Sequence, residues 1–163
     1  MTGGAGARRL VVLRHAHATS GAGLPDIERP LSERGETEAA AAGAWLAAQA
    51  LGPDLVICSV ARRTRETYGI VERHLTPAPP VAYETRAYEA GLDDLLAVVQ
   101  ETPEEHDTVL LVGHNPGVYQ LVLSLAGGAE RGFPPGSAAV IELDREWGYA
   151  NPGTGRLLTR WAP

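Results

Sequence analysis

Histidine and arginine side chains occur in three short segments of this sequence, each placed directly after an apolar run. Residues 14–17 read Arg-His-Ala-His, residues 59–63 end in two arginines, and residues 113–117 read Gly-His-Asn-Pro-Gly. Arginine stays protonated near neutral pH, so several arginines in one small volume repel each other unless an anion lies among them. A phosphoryl group is such an anion, because arginine binds its oxygens through paired hydrogen bonds.

The residue types also fit phosphoryl transfer. A neutral imidazole is a competent nucleophile when one ring nitrogen is held as a donor, because the other then presents its lone pair. Attack by His15 on phosphorus would give a phosphohistidine intermediate and divide one difficult transfer into two easier ones. Arg14, Arg63 and His114 would stabilise charge on the transferring oxygens. A helix that begins near Ala61 would direct its free N–H groups at the same anion.

Each segment also has an ordinary structural interpretation. A single histidine is more often a satisfied polar group than a nucleophile, and the residues at 113–117 are those that form turns. Only the joint placement of the three segments after successive strands favours a site.

The elements that must position these segments alternate between short apolar runs and helical patterns. Strands are predicted at 10–13, 55–58, 81–83, 108–112, 137–143 and 156–161. Helices are predicted at 33–51, with Ser32 as the N-cap, and at 61–74, 92–100 and 116–125. This order predicts an α/β three-layer sandwich with a mainly parallel sheet, helices on both faces and one edge that can be antiparallel. Ligands bind beyond the carboxyl ends of parallel strands, where the three segments lie.

Length and composition exclude several classes of protein. The 163 residues fit a single domain spanning 1–163, and the net charge of −6 argues against nucleic-acid binding. All 14 basic residues are arginine, which excludes lysine-based covalent chemistry. No apolar run is long enough for a membrane span or a signal peptide, so we expect a cytoplasmic protein that does not bind membranes. The single cysteine, Cys58, is predicted to be buried in a strand.

These motifs resemble the histidine phosphatase superfamily, also called the phosphoglycerate mutase-like family. Within it, the sequence is most similar to the short SixA-type phosphohistidine phosphatases. The resemblance rests on segments 13–16, 29–35, 59–67, 112–116 and 133–134, which together span nearly the whole chain. Each segment is a weak signal, whereas their combination is specific.

The resemblance implies roles by position. His15 corresponds to the phosphorylated nucleophile, Arg14 to its partner on the phosphate, and His114 to the second histidine of the family. The chain departs from the family at two places: Ala16 replaces a frequent glycine, as in the SixA-type branch, and Val60 replaces a frequent proline. Neither change removes a catalytic group.

The second phosphate arginine follows from the pattern Ser-x-x-x-Arg-x-x-x-Thr. Ser59 and Thr67 frame Arg63, so the resemblance selects Arg63 rather than Arg62 or Arg65.

Two further residues complete the predicted site. Family relatives that act on alkyl phosphates place an acid near Glu89, which follows the strand predicted at 81–83. A poor alkoxide leaving group needs a proton, whereas the imidazole of phosphohistidine needs little help, so Glu89 is either a general acid or a solvated loop residue. His17 is included with the groups that bind the phosphorylated substrate.

The predicted function is a metal-independent and cofactor-independent phosphatase. Its partner would be a phosphorylated histidine-containing transfer domain or a small phosphorylated molecule. A mutase is one alternative, although mutases of this family are longer. A metal-dependent hydrolase using His15 and His17 is another, because His-x-His is a metal-ligand spacing, but no third ligand is evident and the nearby arginines would repel a cation. A non-enzymatic phosphohistidine binder is the third alternative.

Overall fold

Strands and helices alternate from residue 8 to residue 126 in the computed structural model, which describes residues 7–127 and 132–163. The described residues form six strands and four α-helices, in the order β1 Arg8–Arg14, α1 Glu33–Gln49, β2 Leu55–Ser59, α2 Arg62–Glu72, β3 Val81–Glu84, α3 Leu92–Gln100, β4 Thr108–Gly113, α4 Gly117–Ala126, β5 Ala138–Leu143 and β6 Gly155–Trp161. Every predicted strand and helix is present, with ends that differ by at most two residues.

The strands form one mixed sheet in the order β3-β2-β4-β1-β5-β6. Strands β1, β2, β3 and β4 run parallel to one another, while β5 pairs antiparallel with β1 and β6 pairs antiparallel with β5. The predicted α/β class, with a parallel centre and one antiparallel edge, is therefore confirmed. Because β4 lies between β1 and β2, the segments that follow these three strands leave the same edge of the sheet.

Helices cover both faces of this sheet, because the central strands are apolar on both sides. Leu10 and Val12 of β1 pack into the cluster that contains α3 and α4, whereas Val11 and Leu13 pack into the cluster that contains α1 and α2. All four side chains are at most 1% exposed. Burial of each such side chain contributes about 1.5–3 kcal/mol, so the strand that carries the first motif is firmly held.

Helix α1 begins where the sequence predicted and ends slightly earlier. Ser32 is its N-cap, and the side-chain oxygen accepts a hydrogen bond from the Gly35 N–H at 3.0 Å. Acidic Glu33 and Glu36 lie in the first turn, where the helix dipole favours negative charge. The helix stops at Gln49 because Ala50 takes the left-handed backbone conformation, with φ of 52°.

Three short 3₁₀ helices, Asp26–Glu28, Thr85–Ala87 and Trp147–Tyr149, were not predicted. Cys58 is fully buried as expected, and burial raises the pKa of its thiol to about 12. Over the described part of the chain, no helix has the length and apolar character that crossing a membrane requires.

Candidate active site

The three polar segments meet at the carboxyl ends of β1, β2 and β4. The backbone N–H of His15, after β1, donates to the carbonyl of Gly113 at the end of β4, at 3.0 Å. The hydroxyl of Ser59, at the end of β2, lies 2.8 Å from Nε2 of His114, after β4. The parallel register of these strands therefore brings residues separated by about a hundred positions in the sequence into direct contact.

His15 is held in one tautomer by the backbone. Its Nδ1 lies 2.7 Å from the carbonyl oxygen of Ala16, and a carbonyl can only accept, so Nδ1 carries the hydrogen and Nε2 has the lone pair. Burial, together with the positive charges of three nearby arginines, lowers the pKa of His15 to about 4, against the opposing hydrogen bond to Ala16. The imidazole is therefore neutral at pH 7.

Helix α2 fixes the loop that carries His15. The N–H of Ala16 donates to the hydroxyl of Thr67 at 3.0 Å, and this hydroxyl donates to the carbonyl of Arg63 at 2.7 Å. The last residue of the Ser-x-x-x-Arg-x-x-x-Thr pattern thus joins the nucleophile loop to the turn of helix that bears Arg63.

Two arginines of the predicted site, Arg14 and Arg63, form a polar cluster with His15 and His114. Arg14 donates from Nη1 to the carbonyl of Phe133 at 3.0 Å, while its buried Nε has no hydrogen-bond partner among the described residues. Burial lowers the pKa of Arg14. Arg63 is only 7% exposed, whereas Arg62 is exposed and forms an ion pair with Glu66. An unpaired buried N–H is costly, so Arg14 Nε is available to an anion.

His114 stands next to His15, with the two ring centroids 5.2 Å apart. Its Nδ1 is buried without a hydrogen-bond partner in the part of the chain that the structure describes. Burial, followed by the nearby His15, lowers the pKa of His114 to about 3. This second imidazole is also neutral at pH 7.

Three further residues belong to the cluster and were not predicted as site residues. The carboxylate of Asp26 accepts hydrogen bonds from Arg29 at 3.0 Å, from Arg63 at 3.1 Å and from the Tyr88 hydroxyl at 2.6 Å. The Tyr88 ring meets His114 edge-on, with centroids 5.6 Å apart. The Tyr88 hydroxyl, then Arg29 and Arg63, hold the pKa of Asp26 well below its usual range, so this carboxylate is ionised.

The sequence held partial signals for these residues. Arg29 begins the segment 29–35, which resembles a family motif, and Tyr88 directly precedes Glu89. Asp26 lies in a 3₁₀ helix that the sequence did not predict.

His17 contacts the start of α1. Its Nδ1 lies 2.7 Å from the Ser32 hydroxyl, and its backbone N–H donates to Glu38 at 2.9 Å. The packing is so close that a Cβ on Gly35 would lie 2.0 Å from the His17 carbonyl oxygen. The side-chain contact of His17 is thus with the helix cap.

Glu89 lies at the surface directly after Tyr88. Its side chain is exposed and its backbone is left-handed, with φ of 56°. None of the hydrogen bonds or ion pairs among the described residues involves its carboxylate. The hydrogen bond to Asp26 raises the pKa of Tyr88, and the charge of Glu89 contributes to this, so Glu89 acts on the cluster through its charge.

The alternative of a metal site at His15 and His17 requires further ligands close to these two histidines. Within residues 7–127 and 132–163, no three His, Cys, Asp or Glu side chains lie together in a way that could hold a metal ion. The Nδ1 atoms of His15 and His17 are each engaged with a different oxygen, on Ala16 and Ser32.

The fold and the paired histidines with their arginines define the class of this protein. The model of the histidine phosphatase superfamily (branch 1) matches residues 10–95, which include Arg14, His15 and Arg63. An uncharacterised protein of Mycobacterium tuberculosis strain H37Rv is 33% identical over 156 residues, which cover 90% of this chain and 96% of that protein. The chain belongs to the histidine phosphatase superfamily.

Solved structures place it near the SixA branch of that superfamily. A candidate phosphohistidine phosphatase SixA from Nakamurella multipartitia is 33% identical, with a TM-score of 0.88 and 98% of each chain covered. A second SixA candidate, from Agrobacterium tumefaciens, is 28% identical with a TM-score of 0.83, covering 96% of this chain and 98% of that one. The resemblance seen in the sequence is confirmed, and these findings support a phosphatase of this superfamily.

Proposed function

We propose that this protein is a phosphohistidine phosphatase that carries the phosphoryl group on His15 before water removes it. The observation that carries the proposal is the 2.7 Å contact between His15 Nδ1 and the Ala16 carbonyl. This contact fixes the hydrogen on Nδ1, and the lowered pKa keeps the ring neutral, so Nε2 is an unprotonated nucleophile at physiological pH.

The reaction proceeds in two displacements at phosphorus. In the first, His15 Nε2 forms a bond to phosphorus while the bond to the leaving group breaks, and the electron pair of that bond goes to the leaving atom. In the second, a water oxygen bonds to phosphorus, the P–Nε2 bond breaks, and the pair returns to Nε2 as the water loses a proton to solvent. Arg14 and Arg63 stabilise the charge on the phosphoryl oxygens in both steps.

We assign His114 a donor role in this mechanism. The Ser59 hydroxyl oxygen accepts from the Ala61 N–H at 3.4 Å and lies 2.8 Å from His114 Nε2, and we take this hydroxyl as the donor to Nε2. Nδ1 of His114 then carries the hydrogen, and this buried N–H has no other partner among the described residues. A phosphoryl oxygen would satisfy it, which adds a neutral donor to the charges of Arg14 and Arg63.

The two carboxylates near the cluster, Asp26 and Glu89, bear on the substrate class, because a leaving group such as an alkoxide needs a proton from a general acid. Asp26, the carboxylate in contact with the cluster, is ionised at neutral pH and cannot donate a proton. Glu89 is exposed, and its carboxylate makes no hydrogen bond or ion pair among the described residues. Alkoxide leaving groups need a general acid, whereas the imidazole of phosphohistidine does not, so the site favours phosphohistidine on a histidine-containing transfer domain.

A comparison of substrates tests this proposal. The purified protein is assayed against a phosphorylated histidine-containing transfer domain and against alkyl phosphates at pH 7, with phosphate release as the readout. We expect kcat/KM for phosphohistidine to exceed that for alkyl phosphates by on the order of a hundredfold or more, the usual contribution of a general acid. Equal values would contradict the proposal. Transfer of phosphoryl between two hydroxyls of a sugar acid without release of phosphate would indicate a mutase instead.

A further inference from the structure

The carboxylate of Asp26 lies against Arg63, which we propose to bind a phosphoryl group, and against Arg29, so its negative charge opposes anion binding there. Arg63 donates from Nη1 to the Asp26 carbonyl at 2.8 Å and from Nη2 to its carboxylate at 3.1 Å, and Arg29 donates to the other carboxylate oxygen at 3.0 Å. A guanidinium has five N–H groups. Asp26 uses two of those on Arg63, so the rest remain for a phosphoryl group, and Asp26 can stay in place when substrate binds.

The position of this carboxylate is fixed from a second direction. The Tyr88 hydroxyl donates to it at 2.6 Å, and the Tyr88 ring packs edge-on against His114. Asp26 is therefore tied both to an arginine and to a histidine of the cluster. The negative charge of Asp26 therefore acts on any part of the substrate that binds beside the phosphoryl group.

The carboxylate retains the capacity to bind one more donor. Its two oxygens provide about four lone-pair positions, of which Arg29, Arg63 and Tyr88 occupy three. The side chain is 48% exposed, so a group that arrives from solvent can reach the carboxylate.

We propose that Asp26 determines substrate specificity: it accepts a hydrogen bond from the second ring nitrogen of a phosphohistidine substrate and repels substrates that carry a second negative group. This inference rests on the proposed function. The second ring nitrogen of phosphohistidine bears a hydrogen when the ring is protonated, and the Asp26 carboxylate favours this imidazolium form by accepting that hydrogen bond. When the P–N bond breaks, its electron pair stays on the ring nitrogen, so the protonated ring leaves as a neutral imidazole and not as an imidazolate anion.

The same charge acts against phosphorylated acids. Without Asp26, Arg29 and Arg63 would present two positive charges beside the phosphoryl site and attract the carboxylate of a substrate such as phosphoglycolate. With Asp26 in place, this attraction is offset and a like charge faces the substrate carboxylate.

The test is the Asp26→Asn variant, assayed on N-phosphohistidine, phosphoglycolate and p-nitrophenyl phosphate. We expect kcat/KM to fall about five- to tenfold on N-phosphohistidine and to rise by a similar factor on phosphoglycolate, as for the loss of one partly exposed charge. Asp26→Glu should restore the wild-type preference, and Tyr88→Phe should shift it in the same direction as Asp26→Asn by a smaller factor. Glu28→Gln, in the same short 3₁₀ helix and outside the hydrogen bonds of the cluster, should change neither value.

Changes of opposite sign on the two substrates support the inference, because a residue that only orients Arg63 would lower all three activities together. A parallel loss on all substrates, or no change, overturns it. Melting temperature and circular dichroism confirm that each variant is folded. The wild-type protein separates the two proposals: if it turns over phosphoglycolate but not N-phosphohistidine, the proposed function itself is wrong, whereas an active wild type with an unchanged preference in Asp26→Asn refutes only this inference.

Discussion

Adjacent arginines in α2 differ in their surroundings, and this difference predicts a difference in function. Arg63 is buried within the cluster, whereas Arg62 is exposed and paired with Glu66 four residues later. We expect Arg63→Ala to lower kcat/KM by about 10²–10³, the cost of removing one charge-stabilising donor, and to weaken vanadate binding. Arg62→Ala is the matched control and should leave both within about twofold, because a surface pair contributes little. Equal losses in both variants would contradict the placement of Arg63.

The role of Glu89 is open to a direct test at the same scale. Glu89→Gln is assayed on an alkyl phosphate, a nitrophenyl phosphate and phosphohistidine. If Glu89 is a general acid, activity on the alkyl phosphate should fall by about 10²–10⁴ while activity on the two substrates with good leaving groups changes little. Because Glu89 is exposed and makes no hydrogen bond or ion pair among the described residues, we expect a small effect on phosphohistidine. An equal loss on all three substrates would mean that Glu89 positions substrate or supports the fold.

The sequence allowed part of the site to be predicted because that part follows strand ends. His15 and His114 come directly after apolar runs, so their convergence follows from the parallel sheet. Asp26 and Tyr88 could not be found this way, because their contact joins two loops 62 residues apart. Such contacts depend on how loops pack over the sheet edge, and no local pattern encodes them.

At the scale of elements, the loop that carries His15 can pack closely against α1 because Gly35 has no side chain. A Cβ at Gly35 would lie 2.0 Å from the His17 carbonyl oxygen, so Gly35→Ala must displace the loop that follows β1. We expect a loss of stability of about 1–3 kcal/mol, typical of overpacking at a close backbone contact, together with a clear loss of kcat. Urea denaturation and steady-state kinetics measure the two effects.

Gly69 provides the control for this substitution. It lies within α2 with nothing inside 4 Å of an added Cβ, so Gly69→Ala should stabilise the protein by about 0.5–1 kcal/mol and leave kcat unchanged. If Gly35→Ala behaved like Gly69→Ala, the tight contact with His17 would not exist in solution.

The elements themselves were predicted well because most carry strong local signals. Strand β4 is apolar at nearly every position, as a strand buried on both faces must be, and α1 has a serine cap with acids behind it. The 3₁₀ helix Asp26–Glu28 has neither apolar periodicity nor a side-chain cap, so the sequence indicated only a loop there. That short helix brings Asp26 into contact with Arg63, so one contact of the cluster depends on an element that the sequence did not predict.

At the scale of the whole molecule, the buried histidines make stability depend on pH. His15 and His114 have pKa values lowered to about 4 and about 3, against 6.5 in the unfolded chain. Below pH 6.5 the unfolded state binds protons that the folded state does not, so stability falls as pH decreases from about 6.5 towards 4. At pH 5 each histidine should cost on the order of 2 kcal/mol relative to pH 7.

Urea denaturation at pH 7 and pH 5 measures this effect. The His114→Gln variant, in which one titrating group is removed, should lose less stability between the two pH values than the wild type. Asp26 contributes below this window, because its pKa is lowered and its stabilisation is lost only as pH falls below about 4, its unfolded value. An identical change in wild type and variant would mean that His114 is protonated in the folded protein above pH 5.

The central claim is that His15 carries the phosphoryl group, and trapping that group tests it most directly. The protein is mixed with substrate, quenched in alkali within a turnover, digested and examined by mass spectrometry. Phosphohistidine survives base and is lost in acid, so we predict an alkali-stable, acid-labile phosphoryl group on the peptide that contains His15, and neither label nor turnover in His15→Ala. A label that survives acid and is removed by base, or turnover that persists in His15→Ala, would contradict the mechanism.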